Sequence, residues 1–250
     1  MKRLRESLPS LVTFASLTCG VLALMMACEG DLWRAGTLIL VGYVLDALDG
    51  IVARRLGVTS DFGIQLDSIV DIVTFGAATA VLVTQHLRQQ DLRGGLVALP
   101  ALAFVVAGAF RLARFNLYAP MGKTPETLGL TISTGGAFIT LAVVSDLGQA
   151  SGLLPAWAFL PLLLLVAALM ASRIRFPEFN SMIRHRRASL GVLASSLILT
   201  LFLQPAVIWF GATTAYLCVG LARAVVRRGR HVPAMEGAIR RPELSEQRES

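Results

Sequence analysis

The chain has 250 residues, of which 55% are hydrophobic and only 16% are charged, and its mean hydropathy is +0.67. Soluble domains carry about 25% charged residues, and disordered chains are poor in apolar ones, so this composition argues against both classes. The net charge of +7 then indicates either a nucleic-acid partner or a membrane protein with positively charged cytoplasmic loops.

Apolar segments follow one another along most of the chain. A helix that spans a bilayer needs roughly 20 mostly apolar residues. The sequence predicts eight such segments, at 8–28, 35–53, 66–86, 95–115, 128–146, 153–172, 189–206 and 208–226. The last two are separated by a few residues around Pro205, which indicates a helical hairpin. We therefore expect an all-α integral membrane protein, a bundle of about eight transmembrane helices, with one domain at 1–228 and a disordered cytoplasmic tail at 229–250.

The basic residues fall mainly on one side of this predicted bundle. With a cytoplasmic N-terminus, 20 of the 23 lysines and arginines lie in cytoplasmic segments, and only Arg34, Arg88 and Arg93 lie outside. The positive-inside rule therefore predicts that both termini are cytoplasmic. This topology accounts for the positive charge, and we expect no nucleic-acid partner because basic stripes interleaved with aromatic residues are absent.

Four aspartates lie at the adjoining ends of the second and third apolar segments. Asp46 and Asp49 are three residues apart, and Asp67 and Asp71 are four apart, so each pair shares one face of a helix. Carboxylates within membrane spans are costly and repel one another when they converge. Oxygen ligands without His or Cys are typical of Mg²⁺ or Mn²⁺ sites. The alternative is that the aspartates are neutralised by Arg54, Arg55 and Arg111.

Small residues accompany the two aspartate pairs. Gly50 and Ala53 follow Asp46 by four and seven residues, and Gly63 precedes Asp67 by four, so they lie on the aspartate faces. They would leave a groove in which a large ligand can approach the backbone. Asp61 differs from the other aspartates, because its position in a loop predicts that it caps the next helix.

The aspartates and small residues together form a longer pattern. It runs Asp46-x-x-Asp49-Gly50-x-x-Ala53-Arg54, then eight residues to Gly63, three to Asp67 and three to Asp71. This pattern resembles the signature of the CDP-alcohol phosphotransferases. Within that superfamily the chain is most similar to the membrane-integral phosphatidylserine synthases, through the runs at 59–63, 111–116 and 170–173. The resemblance implies a six-helix family core, to which the last two segments add a hairpin.

The resemblance also implies a chemistry and a site. Two divalent cations, Mg²⁺ or Mn²⁺, would be held by Asp46, Asp49, Asp67 and Asp71 and would clamp the diphosphate of CDP-diacylglycerol. Asp71 would also act as general base. The residues expected to bind CDP-diacylglycerol are Thr13, Gly50, Ala53, Arg54, Ser60 and Gly63.

The expected acceptor is the hydroxyl of L-serine, giving phosphatidylserine and CMP. Arg111 and Arg114 share a helix face and are candidates for binding the headgroup, although they can equally be membrane anchors or partners of Asp61. The alternatives are the same chemistry on glycerol 3-phosphate, inositol phosphate or an amino-alcohol, and, more remotely, a cation-coupled transporter. We expect a homodimer in the cytoplasmic membrane of a prokaryote, with the active site facing the cytoplasm.

Overall fold

The structure is a computed structural model that describes residues 2–56, 61–92, 94–118, 126–177 and 205–228. Its α-helices are α1 (Lys2–Glu29), α2 (Leu32–Leu56), α3 (Asp61–Asp71), α4 (Ala78–Gln89), α5 (Gly95–Tyr118), α6 (Ile132–Leu147), α7 (Phe159–Ala171) and α8 (Pro205–Arg228). A π-helical segment at Ile72–Ala77 joins α3 to α4 without a break. A short 3₁₀ turn at Ala156–Ala158 leads into α7.

Within these ranges four helical stretches are long and apolar enough to cross a membrane: Ser10–Glu29, Phe62–Gln89, Gly95–Leu117 and Pro205–Ala222. They coincide with the predicted segments 8–28, 66–86, 95–115 and 208–226. The helical architecture is therefore confirmed, with four candidate spans.

The other four predicted segments do not correspond to candidate spans in the described structure. The segments at 128–146 and 153–172 correspond to the shorter apolar helices Ile132–Leu147 and Ala156–Ala171. The segment at 35–53 is helical throughout as part of α2. The segment at 189–206 and the tail at 229–250 lie outside the described residues, apart from the first two residues of α8. A total of eight spans therefore stays a prediction.

One short antiparallel sheet accompanies the helices and was not expected from the sequence. Strand β1 (Glu126–Leu128) pairs with β2 (Arg175–Pro177). Gly129 then turns the chain towards α6 with a φ of +75°, and a Cβ at this position would lie 2.5 Å from the Met170 carbonyl. The sheet thereby ties the start of α6 to the end of α7, and only a glycine fits between them.

The π-helical segment is closely packed against α1, α2 and α6. A Cβ on Gly20 of α1 or Gly42 of α2 would collide with Thr74, and a Cβ on Gly136 of α6 would collide with Phe75. Phe75 is fully buried. Because the segment directly follows Asp71, the same close packing fixes the position of that aspartate.

A second buried polar cluster lies at the opposite end of the α3–α4 helix. His86 Nε2 is 2.9 Å from Asp146 Oδ2, and Gln90 donates to the same oxygen. Asp146 Oδ1 accepts the backbone N–H groups of Leu153 and Leu154. The cluster lines a cavity of about 480 Å³ and joins α4, α6 and the loop before α7.

Candidate active site

Three of the four predicted metal ligands converge in the structure. Each of Asp46, Asp49 and Asp67 offers a carboxylate oxygen, and these oxygens lie within 4.8 Å of one another. Asp46 and Asp49 come from one face of α2 and Asp67 comes from α3. Carboxylates this close repel each other strongly in a medium of low dielectric. Their oxygen-only donor set therefore fits a divalent cation such as Mg²⁺ or Mn²⁺.

Asp71 lies one turn deeper in α3 and outside this group of three. It is buried, with 6% exposed, and its Oδ1 has no hydrogen-bond partner within the described part of the chain. Ser133 Oγ donates to Asp71 Oδ2 across 3.4 Å and also interacts electrostatically with Asp46. Ser133 therefore connects Asp71 to the three-aspartate group.

Ser133 is a site residue that the sequence analysis missed. It lies in the first turn of α6, whose N-cap is Thr131, and the Thr131 side chain accepts the Thr134 N–H. The available signal was a cluster of hydroxyl side chains at the start of an apolar segment. Such clusters usually serve helix capping, so the sequence did not distinguish Ser133 from its neighbours.

Thr13 of α1 contacts the aspartates directly. Its hydroxyl donates to Asp49 Oδ2 at 2.9 Å, and both side chains are buried. In this position it orients the Asp49 oxygen toward the other ligands. The expected contact of Thr13 with the CDP moiety stays a prediction.

The remaining predicted CDP-binding residues surround the same end of α2 and α3. Gly50 directly follows Asp49, and Gly63 lies on α3 one turn before Asp67. Ala53 and Arg54 belong to the last turns of α2, but their side chains are outside the described part of the structure. Ser60 and the side chain of Asp61 are also outside it. The roles of these residues stay predictions.

The two headgroup candidates on α5 have different surroundings. Arg111 is buried, with 5% exposed, and interacts electrostatically with Asp71. No described residue hydrogen-bonds to its Nε, and its guanidinium lies over the Phe115 ring at 5.4 Å. Arg114 instead donates to the carbonyls at the end of α7. Its Nη1 is 3.2 Å from the oxygen of Ala171, and its Nη2 is 2.8 Å from that of Ser172. The structure thus places Arg111 beside Asp71, and it places Arg114 on the carbonyls at the end of α7.

Asn116 is a second residue that the sequence analysis did not assign. Its Nδ2 donates to Ser68 Oγ at 3.0 Å, and its Oδ1 is buried with no hydrogen-bond partner among the residues that the structure describes. Ser68 lies between Asp67 and Asp71 on α3. Asn116 therefore borders the aspartate site from α5.

The sequence model of the CDP-alcohol phosphatidyltransferase family matches residues 6–172. The chain is 33% identical over 178 residues to a CDP-diacylglycerol–serine O-phosphatidyltransferase of Helicobacter pylori, which covers 69% of this chain and 72% of the relative. It is 31% identical over 178 residues to the enzyme of that name from Bacillus subtilis. This match covers 69% of this chain and 91% of the relative. It is 30% identical over 180 residues to the archaetidylserine synthase of Methanothermobacter thermautotrophicus. This match covers 70% of this chain and 72% of the relative.

Proposed function

Because the chain belongs to the CDP-alcohol phosphatidyltransferase family, we propose that it transfers the phosphatidyl group of CDP-diacylglycerol to the hydroxyl of L-serine. The products are phosphatidylserine and CMP. The observation that carries the proposal is the convergence of Asp46, Asp49 and Asp67. They lie beside a buried Asp71 that interacts with Arg111. The relatives named for serine transfer support the choice of acceptor.

The aspartates have two roles in this proposal. Asp46, Asp49, Asp67 and Asp71 would hold two divalent cations, Mg²⁺ or Mn²⁺, which when bound neutralise phosphate charge and stabilise the leaving oxygen. Asp71 takes the proton of the serine hydroxyl as that oxygen bonds to the phosphorus bearing the lipid. The bond from this phosphorus to the oxygen of CMP breaks at the same time. Ser133, which donates to Asp71 Oδ2, leaves the other oxygen of Asp71 available for the proton.

The substrates are held by residues around the aspartates. Arg111 binds the serine carboxylate, because it is the arginine whose guanidinium is buried beside Asp71. Arg114 contributes indirectly, since it fixes the end of α7 next to α5. The residues proposed to line the CDP part are Thr13, Gly50, Ala53, Arg54, Ser60 and Gly63.

The location of the site in the membrane is also part of the proposal. Residues 1–228 form the transmembrane domain, both termini are cytoplasmic, and the tail at 229–250 is cytoplasmic. The asymmetry of 20 basic residues against 3 supports this orientation. The active site then faces the cytoplasm of a prokaryote, where serine and CMP are soluble while the acyl chains stay in the bilayer. The expected homodimer stays a prediction that cross-linking in membranes checks.

The direct test is CMP release by the purified protein from CDP-diacylglycerol. L-serine, glycerol 3-phosphate, inositol 3-phosphate and ethanolamine are supplied in parallel, with Mg²⁺, Mn²⁺ or a chelator. We expect CMP release that requires both serine and a divalent cation. Release with glycerol 3-phosphate but not with serine would reassign the acceptor. Cation uptake into proteoliposomes without CMP release would favour a transporter.

The role of Asp71 has its own test. Asp71→Asn removes the proton acceptor but keeps the side-chain volume, and general-base catalysis typically contributes about 10²–10⁴-fold. We expect turnover to fall by about this factor while some CDP-diacylglycerol binding is retained. Asp31→Asn is the matched control, because Asp31 is at the other end of α2 and pairs only with exposed Arg34 in the described structure. Near wild-type CMP release by Asp71→Asn would refute the base assignment.

A further inference from the structure

Three buried polar atoms that have no hydrogen-bond partner among the described residues lie around the proposed acceptor site. They are Asp71 Oδ1, Arg111 Nε and Asn116 Oδ1. Among the described side chains, the two other such atoms belong to His86 and Ser145, at the opposite end of the bundle. Native proteins leave few buried polar atoms unpaired. Three of them at one site therefore indicate a ligand that pairs with all three.

The orientation of the Asn116 amide follows from its neighbour. Ser68 Oγ donates its single proton to the carbonyl of Ile64 at 3.0 Å. The same oxygen can then only accept from Asn116, which requires that the amide nitrogen faces Ser68. Asn116 Oδ1 is therefore an acceptor that points away from Ser68 and remains without a partner.

The separation of the three groups matches a small molecule better than a single ion. Arg111 and Asn116 are five residues apart on α5, which is a rise of about 7.5 Å. Their partners on α3 are Asp71 and Ser68, which are three residues apart, a rise of about 4.5 Å. The backbone positions that carry these groups thus lie about 4.5–7.5 Å apart along the two helices. An amino acid with a short side chain has its polar groups spread over a comparable length once hydrogen-bond distances are added.

We propose that Arg111 Nε, Asn116 Oδ1 and Asp71 Oδ1 together recognise the zwitterion of a hydroxy-amino acid. Arg111 donates to its carboxylate, Asn116 accepts from its ammonium group, and Asp71 accepts from its hydroxyl. The inference rests on the proposed function, and it makes Asn116 a specificity-determining residue. An amino-alcohol would leave Arg111 unpaired, and a hydroxy acid would leave Asn116 unpaired.

The charge of the site favours the same ligand over a phosphorylated alcohol. Arg111 is the one arginine among the buried side chains that the structure describes. The neighbouring cation, Arg114, has its terminal nitrogens on the carbonyls of Ala171 and Ser172. A single guanidinium balances the one negative charge of a carboxylate, whereas a phosphate monoester carries nearly two.

The test uses two analogues of serine that each lack one of its charged groups. Their binding is measured in the wild-type protein and in a variant of Asn116. In the CMP-release assay, inhibition constants against L-serine are measured for 3-hydroxypropionate, which lacks the ammonium group, and for ethanolamine, which lacks the carboxylate. Wild-type protein should bind each about 10- to 100-fold more weakly than serine, because each loses one hydrogen bond to a charged group. Asn116→Leu should raise the KM for serine by about the same factor, with the KM for CDP-diacylglycerol unchanged. The same variant should leave the inhibition constant of 3-hydroxypropionate unchanged.

The control is Gln89→Leu, which makes the same amide-to-leucine change at an exposed residue at the far end of α4. It should change none of these constants. Asn116→Ala repeats the measurement if the leucine variant does not fold. An Asn116 variant that weakens serine and 3-hydroxypropionate equally, or neither, would overturn the inference. The inference would also be overturned if the two analogues did not compete with serine at concentrations a hundred times the KM of serine. If wild-type protein releases no CMP with serine at all, the proposed function itself fails instead.

Discussion

Replacing Gly136 with alanine tests whether close packing at the π-helical segment positions the catalytic groups. A Cβ on Gly136 would lie 2.7 Å from the Phe75 carbonyl oxygen and 2.8 Å from the Phe75 Cβ. Ordinary contact begins near 3.5 Å, so α6 must move away by about 0.8 Å. The obstructing oxygen belongs to the backbone and cannot rotate aside. Overpacking of this kind costs about 1–3 kcal/mol of folding stability.

The same displacement reaches the active site through Ser133. Ser133 lies one turn before Gly136 on the same face of α6. Its bond to Asp71 Oδ2 is already 3.4 Å long, and a further shift of about 0.8 Å carries it beyond hydrogen-bond range. We therefore expect turnover to fall as well, by up to about 10²-fold, since misplacement by about 1 Å has effects of that size.

The measurement is unfolding in detergent together with CMP release, compared with Gly211→Ala. Gly211 lies in α8, and a Cβ there would meet no atom within 4 Å. Both changes place alanine in a helix, so the gain in helix propensity of about 1 kcal/mol cancels between them. Gly136→Ala should be the less stable by about 1–3 kcal/mol. Equal stability and equal activity of the two variants would refute the reasoning.

Three further substitutions test side chains in and around the site. Thr13→Val keeps the shape of the side chain but removes the donor to Asp49, and loss of such a supporting bond typically weakens metal binding about 10–100-fold. The Mg²⁺ or Mn²⁺ concentration for half-maximal CMP release should rise accordingly, and an unchanged metal titration would contradict the role. Arg114→Ala removes the bonds to the α7 carbonyls and should lower unfolding stability by about 1–3 kcal/mol. Arg111→Ala should instead raise the KM for serine more than that for CDP-diacylglycerol. Equal effects of the two arginine variants on both KM values would remove the distinction between them.

The helices were accessible from the sequence because they depend on local spacing, and the three-aspartate group was accessible because the adjoining ends of two consecutive helices carry it. Apolar runs predict helices directly, and residues three or four apart share a face whatever surrounds them. The π-helical segment was not accessible in this way. Its hydrogen bonds span one residue more than those of an α-helix, so a regular helical period is shifted between Asp71 and α4. Nothing in the apolar run at 66–86 marks where that shift occurs.

The headgroup side of the site shows a second limit of predictions that are made from residue spacing. Arg111 and Arg114 were grouped because they share a helix face, but their guanidinium groups have different partners. Spacing determines the direction of the Cβ atom, whereas a long side chain reaches several ångströms to either side of it. Ser133 and Asn116 were missed for another reason. Their partners are 62 and 48 residues away along the chain, and only the packing of α5 and α6 against α3 brings them together.

Two buried aspartates of this chain differ in how their oxygens are satisfied, and the difference bears on what each does. Both oxygens of Asp146 accept hydrogen bonds, from His86, Gln90 and two backbone N–H groups. A carboxylate satisfied in this way joins structural elements and has little capacity left for a ligand. Asp71 is equally buried, yet one of its oxygens has no hydrogen-bond partner and the other has only a long bond from Ser133. Burial alone therefore does not distinguish a structural aspartate from a functional one, whereas an unpaired buried oxygen does, because its desolvation is offset only when a proton or a ligand binds.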